Sequence, residues 1–230
     1  MVARIELFLK YVFEYDYYKL FLTGLKNTLI IAFGGLLIGI VIGSLVATIK
    51  VAGMRNRVMK AVSYIGDAYT SVFRGTPIIV QLMIFHFIVF RGTGIDELLE
   101  VVLVFGLNSG AYVAEIMRGG ILSVDIGQTE AGRTLGLSYT TTMIKIVVPQ
   151  AIKNVIPTLG NELIALTKDT SVAGYVATMD LNAAFSAIAG ATYDVMIPYI
   201  MLAVVYFLII VIFTVIIRLI ERRLRKSEKR

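Results

Sequence analysis

The chain contains no cysteine, no tryptophan and a single histidine, His86. Without cysteine there are no disulfides, no thiolate metal ligands and no cysteine nucleophile. A lone histidine excludes a His-rich metal site, and in an apolar run it reads as a packed or pore-lining side chain. Without tryptophan, any aromatic belt at a membrane surface has to be built from tyrosine. Three motifs are also missing: the G-x-x-x-x-G-K-[ST] phosphate loop, the H-E-x-x-H helix and the G-x-S-x-G elbow. The chain therefore has no recognisable nucleotide site of the first kind and lacks the marks of an intramembrane protease or an esterase. Its energy must come from an ion gradient or from another subunit.

What is abundant is apolar surface. Hydrophobic residues make up 57% of the 230, against roughly 45–50% in soluble domains, and the mean hydropathy is +0.81. These values predict an all-α integral membrane protein. Residues 27–49 and 195–217 are uncharged runs longer than the roughly 18 residues that identify a spanning helix. A mixed stretch ending at Phe73 continues through the apolar run 76–90, with Asp67 inside it and Pro77 placed to bend it. Further spans are expected at 95–117, with Glu100 and Glu115 near its ends, and at 149–167, interrupted by Lys153 and Glu162. The expectation is five transmembrane helices.

Residues 1–26 mix charges with Tyr11, Phe13, Tyr15, Tyr17, Tyr18 and Phe21, the composition of an interfacial segment rather than a cleavable signal. The expected organisation is this segment, a single transmembrane domain over 27–218 that includes a polar loop at 123–149, and a basic tail over 219–230. The net charge of +6 sits beside apolar segments, where lipid headgroups and orientation explain it better than nucleic acid does. Lys50, Arg55, Arg57 and Lys60 share a side with Arg118, Arg133, Lys145, Lys153 and the tail. The opposite loops hold Arg91 and Lys168 among Asp96, Glu97, Asp169 and Asp180. Basic residues favour the cytosolic side, so the N-terminus is expected outside, with the C-terminus and the 123–149 loop in the cytosol.

Gly35, Gly39 and Gly43 recur at four-residue spacing, a flat helix face for internal packing or for a subunit interface. Ionisable residues at membrane depth are costly and point to a pathway or binding site. Arg74, beside Gly75-Thr76-Pro77, suits a carboxylate. Glu162, with Asn161 beside it and Asp169 further along, suits an ammonium or guanidinium group. Opposite charges on separate helices suit a zwitterion. Structural alternatives stand beside these: Arg74 paired with Asp67, Glu115 paired with Arg118 at i, i+3, and Lys168-Asp169 as an interfacial pair.

The polar loop is the most ordered stretch. It contains Glu130-Ala131-Gly132, then Gly136, and ends on Ile146-Val147-Val148-Pro149. Gly136 reads as a helix stop and Ser138 as the cap of a new helix. A compact helix-turn-helix follows, with Ile126, Ala131, Leu135 and Leu137 as a small apolar face that can dock into a partner's groove.

That spaced pattern resembles the EAA signature of permease subunits in ATP-binding-cassette importers, with Gly132 in place of the second Ala and Val148 in place of the usual Leu. Phe73-Arg74-Gly75-Thr76-Pro77 with Gln81, Asn108-Ser109-Gly110-Ala111-Tyr112, Ala114-Glu115-Ile116, Arg118-Gly119-Gly120-Ile121 and Lys168-Asp169-Thr170-Ser171 look like the polar amino acid branch of that family. The resemblance implies a type I importer permease, not itself an enzyme, in a prokaryotic inner or cell membrane. It also implies alternating access driven by two cytosolic ATPase subunits, a second permease copy or paralogue, and an extracytoplasmic amino acid binding protein. On that basis Glu130, Ala131, Gly132 and Gly136 would couple to the ATPase, and ATP and Mg would sit on the partners, with no cofactor on this chain. Glu162, Asp169, Arg74, Asn161, Asn108 and Glu115 would be the substrate candidates, the acidic ones favouring a basic amino acid. An ion-coupled transporter or channel, or a membrane scaffold, are the alternatives that the residues alone leave open.

Overall fold

The computed structural model describes residues 2–54 and 56–226. Arg55 and the tail residues Ser227, Glu228, Lys229 and Arg230 lie outside the described residues. Among the described residues the secondary structure is helical: α1 (Val2–Glu14), α2 (Tyr17–Gly53), α3 (Arg57–Gly75), α4 (Ile78–Ile84), α5 (Glu97–Leu122), α6 (Ile126–Thr134), α7 (Tyr139–Thr142), α8 (Val148–Asp169), α9 (Leu181–Thr192) and α10 (Met196–Lys226). Short π turns at Phe85–Val89 and Met143–Val147 and a 3-10 turn at Thr170–Val176 extend α4, α7 and α8.

Among the described residues, three helices are long and apolar enough to cross a membrane alone: Tyr17–Gly53, Glu97–Leu122 and Met196–Leu224. Two broken pairs bring the number to as many as five, if each pair counts as one span. The break between α3 and α4 falls at Thr76-Pro77. Pro77 adopts an extended ψ of 138° as the N-cap of α4, and a proline both lacks the N–H that would continue α3 and disfavours helical geometry in the residue before it. The expected bend is therefore a full interruption. The first span is longer than its uncharged run, because Tyr17 already begins the helix.

The contacts group into two compact units. Unit 1 comprises Met1–Leu37, Thr76–Gly106 and Leu163–Phe213; unit 2 comprises Ile38–Gly75, Leu107–Glu162 and Thr214–Arg230. In unit 1, α1 lays its apolar face on α9, with Phe8, Leu181, Phe185 and Ile188 in one buried cluster. The Phe8 and Phe185 rings stack at 6.4 Å.

Helix α9 has no counterpart among the expected elements, and it corrects the reading of Asp180 as a loop charge. Asp180 is fully buried and caps α9, accepting hydrogen bonds from Asn182 N at 3.1 Å and Ala183 N at 3.0 Å. The preceding turn is pinned to α2, where Asn27 Nδ2 donates to Met179 O at 2.9 Å and Thr28 Oγ1 accepts from Leu181 N at 3.1 Å. Gly24 makes this approach possible, since a Cβ there would lie 2.6 Å from Asp180 O. Asp180→Ala removes the cap and is expected to lower stability by about 1–2 kcal/mol. Thermal unfolding of the purified protein in detergent measures it, and an unchanged transition would show that the cap contributes nothing.

In unit 2 the glycine stripe of α2 packs against α5. A Cβ on Gly39 would meet Ser109 Oγ at 2.7 Å, and one on Gly43 would meet Val113 Cβ at 2.7 Å. Here the stripe serves internal packing by close backbone approach.

Candidate functional site

Within unit 2, one turn of α5 holds opposite charges. Ser109 Oγ donates to Glu162 Oε1 at 3.0 Å. Three residues along α5, Tyr112 presents its ring to the Arg74 guanidinium at 5.4 Å, a cation–π distance. Next to Ser109, Asn108, only 6% exposed, donates from Nδ2 to Phe73 O at 3.2 Å and so fixes the end of α3 just before Arg74. Tyr69 adds a second tie from α3, its hydroxyl donating to Leu107 O at 2.5 Å. Residues 108, 109 and 112 face a shared neighbourhood because they are one helical turn apart. Arg74 is exposed and Glu162 half-buried, so both charges stay within reach of a ligand.

Of the six substrate candidates, Arg74, Asn108 and Glu162 meet on this turn. Asn161 adjoins Glu162 and is exposed. Asp169 belongs to unit 1 and is exposed; its neighbour Lys168 lines a cleft of about 290 Å³ with Ser171, Tyr199 and Tyr206. Glu115 is bound up in a separate ionic cluster. Its Oε1 is 2.5 Å from Lys50 Nζ, and its Oε2 accepts from Arg118 Nη2 at 2.8 Å. The i, i+3 pairing expected for Glu115 and Arg118 is present, while that of Arg74 with Asp67 is not. Asp67 instead meets Lys50 Nζ at 2.8 Å, because Lys50 reaches it from α2 and Arg74 is drawn over Tyr112. His86 likewise has a specific partner, with Nδ1 2.7 Å from Glu100 Oε2 in unit 1. Ser109 and Tyr112 were not singled out as site residues from sequence; their helical spacing from Asn108 was the available signal.

The polar loop also lies within unit 2. Asp125 caps α6, accepting from Gly127 N at 2.7 Å. The helix closes with Gly136 at φ +79°, with Leu137 N donating to Gly132 O at 3.1 Å and Gly136 N to Arg133 O at 3.0 Å. This paired closure is the Schellman arrangement, which suits a glycine in the left-handed region. Ser138 then caps α7 by accepting from Thr141 N at 3.1 Å. The two helices touch through Gly132, where a Cβ would come within 2.6 Å of Thr142 Cγ2; glycine replaces alanine in the signature at the point of contact. Outward from this contact, Ile126 is 74% and Leu135 80% exposed, and Glu130 and Ala131 are exposed beside them while Leu137 is half-buried. An exposed apolar tip held on a rigid turn is a docking surface.

Residues 39–226 match the family model described as binding-protein-dependent transport system inner membrane component. The arginine transport system permease protein ArtQ of Bacillus subtilis (strain 168) is 37% identical over 209 residues, 90% of this chain and 93% of that protein. The putative glutamine transport system permease protein GlnP of Rickettsia bellii (strain RML369-C) is 39% identical over 188 residues, 81% of this chain and 84% of that protein. Among solved structures, an amino acid ABC transporter crystallised with histidines superposes with a TM-score of 0.83 at 36% identity, covering 93% of this chain and 98% of its counterpart.

Proposed function

Because the chain belongs to the family of binding-protein-dependent transport system inner membrane components, we propose that it passes a polar amino acid, with a basic side chain preferred, across the membrane. As an importer permease it is not itself an enzyme; ATP hydrolysis in such systems is done by separate ATPase subunits, and a substrate-binding protein delivers the cargo. That membership displaces the ion-coupled and scaffold alternatives.

The observation that carries the substrate reading is the single turn of α5 that holds Glu162 through Ser109 and Arg74 through Tyr112. A free amino acid always presents a carboxylate, and a basic one adds a cationic side chain. Arg74 suits the first as a bidentate donor, and Glu162 suits the second. Asn108 and Asn161 supply neutral polar groups beside them. Similarity to an arginine permease accords with a cationic cargo. Asp169 remains a candidate for a further cation contact, and Glu115 acts through its ion pairs rather than on cargo.

The loop at 123–149 is the proposed contact to the ATPase, with Ile126, Ala131 and Leu135 entering its groove, Glu130 on the rim, and Gly132 and Gly136 setting the shape. Two ATPase subunits carrying ATP and Mg and a second permease, identical or paralogous, complete the assembly. The basic residues Lys50, Arg57, Lys60 and Arg118 favour a cytosolic position for this end, the C-terminus on the same side and the N-terminus outside. Transport then follows alternating access, in which cargo must bind the two states with different affinities.

The test is reconstitution with the ATPase and binding protein in proteoliposomes, measuring ATP hydrolysis and uptake of arginine, lysine, histidine, glutamine and aspartate. Stimulation by basic amino acids is expected. Equal stimulation by aspartate, or none by any amino acid, would overturn the reading.

A further inference from the structure

One half-buried lysine joins three helices between the candidate substrate cluster and the loop. Lys50, near the C-terminal end of α2, has a side chain only 10% exposed. Its Nζ lies 2.8 Å from Asp67 Oδ1 on α3, 2.5 Å from Glu115 Oε1 on α5 and 3.2 Å from Thr70 Oγ1 on α3. Arg118 completes the node by donating to the second oxygen of Glu115 from Nε at 3.1 Å and from Nη2 at 2.8 Å. All three Lys50 protons therefore have acceptors, and the charges balance as two cations against two carboxylates. A half-buried ammonium satisfied this fully resists displacement of its partners, because moving one of them away gives up a charge-assisted hydrogen bond.

Position gives the node its meaning. On α5, Ser109 and Tyr112 hold the substrate cluster, Glu115 and Arg118 form the node one turn further on, and Gly120, with Ser123 just past the helix end, forms the junction with α8. At that junction Asn154 Nδ2 donates to Ser123 Oγ at 3.0 Å, and Gly120 has no room for a side chain beside Val155. Gln150 of α8 in turn donates to Gln128 of α6 at 3.2 Å. On α3, Asp67 and Thr70 lie at the node and Arg74 one turn beyond. A contiguous set of packed and hydrogen-bonded groups thus runs from α6 through α8 and α5 to α3, which is the physical requirement for carrying a displacement. A cleft of about 400 Å³, lined also by Met54, Lys60, Ser63 and Tyr64, borders the node.

We propose that Lys50 is a positioning residue that couples the 123–149 loop to the substrate cluster by pinning α3 to α5 midway between them. This rests on the importer reading above. Lys50 touches neither cargo nor nucleotide; it holds Arg74 in register with Tyr112 when the loop moves α5. Removing its charge takes away the cation that Asp67 and Glu115 share and leaves Glu115 with Arg118 alone, so the tie between α3 and α5 is lost at that turn and the loop's motion no longer reaches Arg74.

The test compares wild type, Lys50→Met, Lys50→Arg and Asp67→Asn in proteoliposomes with the ATPase and loaded binding protein, recording amino acid uptake and ATP hydrolysis together. Lys50→Met is expected to cut uptake at least tenfold while hydrolysis stays within about twofold, so that the ATP consumed per amino acid rises at least fivefold. Lys50→Arg, which retains a charge able to bridge two carboxylates, is expected to recover at least half of the uptake. A merely structural lysine would lower uptake and hydrolysis together through lost assembly and leave their ratio unchanged, and that result overturns the proposal. Should Lys50→Met fail to assemble, Asp67→Asn decides. Its carboxylate is 51% exposed and its neutralisation leaves no buried ion unpaired, because Lys50 keeps Glu115; a ratio raised about threefold is expected, and an unchanged ratio overturns the proposal. Wild type separates the two levels: no uptake of any amino acid by the complete wild-type assembly refutes the importer reading, whereas normal coupling in the variants refutes only the role of Lys50.

Discussion

Glu162→Gln is expected to lower uptake of arginine and lysine roughly 30-fold and to leave that of a neutral polar amino acid such as glutamine within about threefold. The substitution keeps the shape of the side chain and its capacity to accept from Ser109 Oγ, now 3.0 Å from Glu162 Oε1, and removes only the charge. A charge-assisted hydrogen bond in a half-buried site is worth about 2 kcal/mol, which corresponds to the stated factor. Neutral cargo does not draw on that charge, so the ratio between cargoes carries the information rather than the absolute rate. Arg74→Met provides the contrast. Arg74 is the proposed partner of the carboxylate that every amino acid shares, so its loss is expected to lower uptake of basic and neutral cargo alike. Competition between labelled arginine and labelled glutamine in proteoliposomes measures both. An equal decline for the two cargoes in Glu162→Gln would remove Glu162 from side-chain recognition.

The parts of this molecule that were legible in the sequence are those governed by local rules. Spans announce themselves by uninterrupted apolar length, as in α2 and α10, and the loop by a glycine stop at Gly136 followed by a serine cap at Ser138, both seen in place. Helix α9 was not legible, since Leu181–Thr192 is short and rich in alanine, too brief for a span and without the charged face that marks a surface helix. Its capping residue Asp180 looked like a loop charge because the groups that bury it, Gly24, Asn27 and Thr28, come from the other end of the chain. The same limit applies to ion pairs. Arg74 and Asp67 are near in sequence, yet Asp67 pairs with Lys50, and Lys50 in sequence is only one of several basic residues that orient a membrane protein. Pairing across helices depends on tertiary proximity, which periodicity does not report. The substrate cluster illustrates both sides. Arg74 and Glu162 stood out because charge at membrane depth is rare, whereas Ser109 and Tyr112, which hold them, are ordinary residues whose role appears only once α3, α5 and α8 are packed.

Gly132→Val is expected to abolish uptake, to below about a twentieth of wild type, with the transmembrane helices intact. The reason lies in the contact between α6 and α7. A Cβ at position 132 would lie 2.6 Å from Thr142 Cγ2, 2.9 Å from Thr142 Oγ1 and 3.3 Å from Ile146 Cδ1, and the branched side chain adds two further carbons in the same space. Overpacking of a tight contact costs about 1–3 kcal/mol. In a helical core that cost is spread over many neighbours, but here α6 is nine residues long and α7 four, so the strain is relieved by swinging α6 away. Ile126 and Leu135, the exposed apolar tip, then leave the positions from which they are proposed to enter the ATPase groove. The expected readout is loss of the ATPase from the purified assembly, with circular dichroism and thermal unfolding of the permease itself little changed. Gly132→Ala, with one carbon to place, is expected to retain about a third of the uptake. Combining it with Thr142→Ala removes both atoms that the new Cβ would strike and is expected to bring uptake back to near wild type. That non-additivity is the decisive measurement. If Gly132→Ala and Thr142→Ala are each harmful and their effects simply add, the contact between the two helices does not set the shape of the docking tip.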